Sequence, residues 1–344
     1  MFIDCDLPFG VGNIGCEAKR AEEFGYDALW ASEIAHEPLM TLALAAAQTT
    51  TISLGTGIMV AFGRSPMNTA MMANDVQLLS RGRLVLGLGT QIKPHIEKRY
   101  SMPWSHPVPR MREYVLALRA IWASWNDGSP LRFRGEFYKH MLMTPFFDPG
   151  PNEFGNPNVF IAAVGPKMTE VVGEIGDGLL VHPLTTVRYL KEVTLPALER
   201  GFIKSGRSRD NFQISLSGLV ATGPTKSSFA EAKQKVRAQI AFYASTPAYR
   251  SVLELHGWGD IQTRLNLLSR SGEWNEMTKL VSDEMLETFS VCGSPDSIAG
   301  AVTSRFHDSL DRFNIYTPYS LDVESRNFVA SSLLKWKERE NHGK

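Results

Sequence analysis

The sequence predicts a closed (β/α)8 TIM barrel, and three observations carry that prediction. Short apolar runs of strand length recur along the chain, stretches of helix length lie between them, and about eight such strands can be counted. An open doubly wound sheet is the competing architecture. It would need a topological switch and usually a nucleotide fingerprint at the first strand-to-helix turn, and the glycines of "DLPFGVGNIG" lack that spacing.

The elements follow in order. "FIDCDLP" is the first strand and its helix ends near "AEEFG"; "YDALWASE" is the second, followed by the alanine-rich "LMTLALAAAQT". "ISLGTGIMVA" leads into "SPMNTAMMANDVQLLS", and "RLVLGLG" leads toward "RMREYVLALRAIWASW". The second half repeats the pattern with "VFIAAVG" and "PKMTEVVGEIG", "DGLLVHP" and "TVRYLKEVTLPALERGF", "FQISLSGLVATG" and "SFAEAKQKVRAQIAFYA", then a late strand "FNIYTPY". The run Leu84 to Gly89 barely alternates, as expected of a strand buried on both faces. It turns polar at Thr90, Gln91, Lys93 and His95, where the carboxyl ends of parallel strands hold ligands. Close packing alone also accounts for Gly87 and Gly89.

Two segments interrupt the repeat, one around "EFYKHMLMTPFFDPGPNEFGNPN" and one from about Ala244 to Ser290. Their proline, glycine and aromatic content predicts ordered loops, of the kind that act as lids over the C-terminal mouth of a barrel. Phe137, Tyr138, Met141, Met143, Phe146, Phe147 and Trp258 either line an apolar mouth or pack these segments onto the barrel. No composition shift marks a boundary, so residues 1–344 read as one domain.

Composition excludes several functions. The 36 Lys and Arg balance 36 Asp and Glu, leaving no global field for nucleic acid or an anionic membrane. Cys5, Cys16 and Cys292 form neither a disulfide framework nor a zinc pattern, which predicts a reducing, cytoplasmic setting and no metal site. Neither a signal peptide nor a membrane span is expected.

The stretches "GYDALWASE", "ISLGTGIMVAFGRSP", "SRGRLVLGLGTQ", "RMREYVLALRAIW", "FIAAVGPKMTEVVGEIGDGLLVHP" and "VCGSPDSIAGAV" resemble, in order and over nearly the whole chain, the bacterial luciferase-like superfamily of flavin and deazaflavin oxidoreductases. The resemblance is closer to its coenzyme F420-dependent branch. It implies a cofactor ring across the barrel's C-terminal mouth and a phosphate anchored by later strand-to-helix loops. It also implies a bulge at the end of the third strand, at Met59, Val60 and Ala61, often with a non-proline cis peptide, on which the ring rests.

The same resemblance assigns roles to other residues. Ala163, Val164, Gly165, Lys167 and Met168 form the strand-to-helix junction expected to hold the phosphate, through backbone N–H groups that need no signature side chain. Glu33 and His36 in "WASEIAHEP" are the catalytic candidates, because hydride transfer to a polarised double bond needs a proton partner beside it. Turn capping by Glu33 and a solvated loop position for His36 are the alternatives. Thr90 and His95 fall where relatives set polar groups against the ring edge. Ile92 departs from the sugar-phosphate dehydrogenase branch, which carries glutamate there, so glucose 6-phosphate chemistry is not expected. His182 and His256 are weaker candidates.

The expected activity is hydride transfer between F420 and a small organic substrate. The alternatives are an FMN-dependent monooxygenase supplied by a separate flavin reductase and a cofactor-free binding member of the fold. A homodimer is expected from the excess of Met, Leu and Ala in "LMTLALAAAQT" and "SPMNTAMMANDVQLLS".

Overall fold

A computed structural model of the chain describes residues 1–7 and 12–342; the glycine-rich stretch at the first turn lies partly outside them. Eight parallel strands form the barrel: β1 (Phe2–Asp6), β2 (Ala28–Ala31), β3 (Ser53–Thr56), β4 (Leu84–Gly89), β5 (Asn158–Ala163), β6 (Gly178–Val181), β7 (Gln213–Ala221) and β8 (Arg312–Tyr316). Each pairs with the next, and the ring closes where Ile3 of β1 lies opposite Phe313 of β8. Closure removes every sheet edge from the barrel, which an open sheet of the same strands would have exposed.

Both faces of these strands are covered, and that is why their sequences do not alternate. Leu54, Leu84 and Leu86 face the helical layer within the main core, whereas Ala28, Trp30, Val85, Phe160 and Leu180 form a separate cluster inside the barrel. Below that cluster the interior is polar. Arg312 grips Asp4 through contacts of 2.7 and 2.8 Å, and the Trp30 indole donates to the same carboxylate at 2.9 Å.

The third strand does not run straight on. After Thr56 the chain passes through a cis peptide between Gly57 and Ile58 and resumes pairing at Met59–Val60, beside Leu88 and Gly89. Gly87 is required here: a Cβ on it would lie 1.9 Å from the Thr56 carbonyl oxygen. The Thr56 hydroxyl locks the approach from its own side, donating to the Gly87 carbonyl at 2.7 Å and accepting from its N–H at 2.8 Å.

The two interruptions differ from each other. The first carries a two-stranded ribbon, Phe133–Arg134 with Lys139–His140, laid against the helix Pro107–Asp127. Glu113 of that helix accepts the backbone N–H groups of Glu136, Phe137 and Tyr138, and Arg110 donates to the Tyr138 hydroxyl at 2.8 Å. The segment is thus packed onto the barrel's helical layer, while Phe146 and Phe147 are 90% and 73% exposed.

The second interruption was expected to be an irregular loop and is instead helical, with Arg250–Glu254, Gly259–Ser271, Trp274–Lys279 and Asp283–Phe289 as its helices. Val252, Leu253, Leu265, Met277, Met285 and Leu286 give these short helices a core of their own, shared with the helix Lys226–Ala244 and the end of β7. Trp258 belongs to that core, stacked on His256 at 4.8 Å. Short helices of this kind draw their stability from packing rather than propensity, which the local cluster "HGWGD" concealed.

Candidate active site

The carboxyl ends of the strands open into a cavity of about 2210 Å³. Residues at or just beyond the ends of seven barrel strands reach it, including Asp6, Glu33, Ile58, Thr90, Gly165, His182 and Tyr316, and β7 contributes Ser215 and Ser217 from within the strand. Asn266 and Arg270, from the helix Gly259–Ser271, also line it, so the second interruption contributes to the cavity wall.

At the ends of β2 and β3 the wall is main chain held from behind. The Ser32 hydroxyl donates to the Gly57 carbonyl at 2.7 Å, and the Glu33 N–H donates to the Ile58 carbonyl at 3.1 Å. Gly57 and Ile58 face the cavity, whereas Met59, Val60 and Ala61 are fully buried behind them. Gly57–Ile58 thus forms the cavity-facing main-chain shelf at the strand-three end, and Met59, Val60 and Ala61, the residues expected there, do not line the cavity.

Glu33 is the anchor of this shelf. One carboxylate oxygen accepts from the Val60 N–H and from Arg64, both at 2.7 Å. The other accepts from Arg64 at 3.0 Å and from the Tyr100 hydroxyl at 2.6 Å. Burial pushes the carboxyl upward, but the bonds from Arg64, Tyr100 and Val60 outweigh it and hold Glu33 below the usual carboxylate range. With four donors on its two oxygens, Glu33 stays ionised and has no free acceptor with which to take a proton.

His36 and His95 are exposed and line no part of the cavity; His36 lies in a turn, His95 in the short helix Lys93–Lys98. Thr90 lines the wall beyond β4, its hydroxyl turned to the Gln91 carbonyl at 2.9 Å.

Ala163, Val164, Gly165, Lys167 and Met168 all line the cavity where β5 gives way to the helix Pro166–Ile175. Gly165 caps that helix without a side-chain hydrogen bond, and a Cβ added to it would meet nothing within 4 Å. Open space beside unpaired N–H groups of a ten-residue helix suits a phosphate. The loop is braced by Tyr189, whose hydroxyl donates to the Val164 carbonyl at 3.2 Å and meets Ser251 of the helical insertion at 3.0 Å.

The sequence reading did not select Asp6, at the end of β1 on the cavity floor. The side chain is open to the cavity, yet loss of hydration dominates and pushes its carboxyl up to about 6, against the bond from Asn314 and assisted by the Asp4 charge. A carboxyl poised there exchanges its proton near neutral pH. Its only sequence signal is position, an acid at a barrel strand's carboxyl end.

A parallel barrel with a main-chain shelf, an open helix start and a protonatable carboxyl around one basin has the make-up of a barrel enzyme's active site. The chain belongs to the bacterial luciferase-like family of oxidoreductases, matching the luciferase-like monooxygenase description over residues 9–312. An uncharacterised protein of Mycobacterium tuberculosis is 52% identical over 90% of this chain and 91% of its own length. A 5,10-methylenetetrahydromethanopterin reductase of Archaeoglobus fulgidus is 31% identical over 81% of this chain and 82% of its own. Among solved structures, the coenzyme F420-dependent tetrahydromethanopterin reductase of Methanopyrus kandleri superposes with a TM-score of 0.77 at 21% identity, covering 96% of both chains.

Proposed function

We propose that the protein is an F420-dependent oxidoreductase that transfers hydride between the deazaflavin and a small organic substrate in the barrel mouth. The observation that carries this reading is the joint lining of one cavity by the open Gly165 loop, the Gly57–Ile58 shelf and Asp6. The similarity to reductases over four fifths of the chain supports hydride chemistry over oxygen insertion. The residues fit the cofactor: the Gly165 loop would hold its phosphate, Lys167 would add a cation beside it, and the shelf would carry the ring.

When bound, the deazaflavin supplies or accepts one hydride, an electron pair carried with a proton. Asp6 handles the accompanying proton, giving it to a substrate atom that gains charge on reduction and taking it back in the reverse direction. Glu33 and Arg64 fix the shelf, and the helical insertion screens the mouth from water.

Parallel titration of the purified protein with oxidised F420 and with FMN tests the reading. F420 binds with micromolar or better affinity and FMN at least tenfold more weakly, a gap of about 1.4 kcal/mol. Tighter FMN binding with oxygen-dependent product formation would establish the monooxygenase supplied by a reductase, and binding of neither would establish the cofactor-free member.

We also propose a homodimer. Met40 and Leu44 of the helix Pro38–Ala46, and Met71 and Leu79 of the helix Pro66–Leu79, are 46–58% exposed and leave an apolar face on adjacent helices.

A further inference from the structure

We propose that His182 is a substrate-orienting hydrogen-bond donor that recognises a carbonyl oxygen or ring nitrogen on a planar, largely apolar molecule. The proposal rests on the reading of the cavity as a hydride-transfer site, and it adds the substrate class.

His182 follows β6 directly and lines the cavity, half-buried. The Leu184 N–H donates to its Nδ1 at 3.0 Å, so that nitrogen is an acceptor and the neutral ring carries its proton on Nε2. Burial pushes the imidazole down to about 3, which keeps it neutral at physiological pH. Nε2 has no hydrogen-bond partner among the described residues, and it is not one of the side-chain atoms sealed from solvent. A free N–H on a cavity wall is a donor awaiting an acceptor.

The surroundings select the shape of that acceptor's carrier. Tyr249 packs on the imidazole with ring centres 4.2 Å apart, and Tyr243 meets it edge-on at 4.6 Å. Both tyrosines line the same cavity, and the Tyr243 hydroxyl donates to that of Tyr316 at 3.2 Å. Burial holds all three phenols above their usual range, hence uncharged. Aromatic walls and neutral donors favour a flat, uncharged body bearing an acceptor, since a bound ion would find no opposite charge on these four side chains.

Menadione, a planar quinone, serves as the probe. It is titrated calorimetrically into wild type, His182→Phe and His182→Gln, with the proteins saturated in oxidised F420 and again without cofactor. His182→Phe raises the menadione dissociation constant at least tenfold, His182→Gln, which keeps an N–H donor, stays within about threefold of wild type, and F420 affinity is unchanged in all three. Unweakened binding to His182→Phe, or no binding to wild type, overturns the proposal. Failure of F420 to bind wild type overturns the functional reading instead, and the cofactor-free titrations still compare the variants. Should His182→Phe not fold, long-range 15N–1H spectra of the wild type decide: a proton on Nε2 throughout pH 5–8 is expected, and one on Nδ1 refutes the assignment.

Discussion

Removing the guanidinium that holds Glu33 tests the account of the shelf. In Arg64→Met the Glu33 side chain, 6% exposed, loses two charge-assisted bonds of 2.7 and 3.0 Å while keeping those from Val60 and Tyr100. Each such bond contributes about 1.5–3 kcal/mol, and breaking a buried pair from one side costs about 3–5 kcal/mol. The two surviving donors place the expected loss near the lower end, about 3 kcal/mol. Urea unfolding at pH 7.5 reads it directly. The pH dependence has a defined sign: because folding lowers the Glu33 value, its contribution is fully present above the unfolded carboxyl value of about 4.3 and is lost as pH falls through the folded one. The gap between wild type and variant therefore narrows below about pH 4. A loss under about 1 kcal/mol at pH 7.5, or a gap that does not change with acid, would refute the reasoning. The double variant Glu33→Gln, Arg64→Met should be less destabilised than the sum of the singles, as a coupled pair requires.

Asp6→Asn should lower turnover about 100-fold with F420 affinity retained, and in the reducing direction the wild-type kcat/KM should fall as pH rises through about 6, a limb the variant lacks; pH profiles from 4.5 to 8.5 check both. Gly87→Ala drives a Cβ against the Thr56 carbonyl and should cost about 3 kcal/mol or more, read as a lowered Tm. Gly165→Ala, at φ −76° with open space around it, should change stability by less than about 0.5 kcal/mol while weakening F420 binding; an unchanged dissociation constant would remove that loop from the cofactor site. Light scattering at micromolar concentration should give a dimer mass for wild type and a monomer mass for Met71→Lys with Leu79→Glu, and a monomeric wild type would end the dimer proposal.

The sequence by itself determined the barrel, because strand and helix periodicity are local properties. Leu84 to Gly89 reads as a two-faced buried strand from its own residues, and its glycines mark where Thr56 closes in on Gly87 and Ile58 on Gly89. The Gly165 junction was legible for the same reason, since a strand end, a proline and a helix start are contiguous. The chemistry of the basin was decided by tertiary structure. Glu33 looked like a proton carrier until the fold brought Arg64 from 31 residues away and Tyr100 from 67 to occupy its oxygens. Asp6 looked unremarkable in "FIDCD" until closure of β1 against β8 set Asn314 beside it and loss of hydration within the barrel mouth raised its carboxyl. His36 and His95, well placed by motif, lie on exposed stretches, while His182 was fixed as a neutral donor by Leu184, Tyr243 and Tyr249. Spacing along a chain encodes which face a residue takes, but proton affinity and hydrogen-bond capacity depend on neighbours that only chain closure supplies.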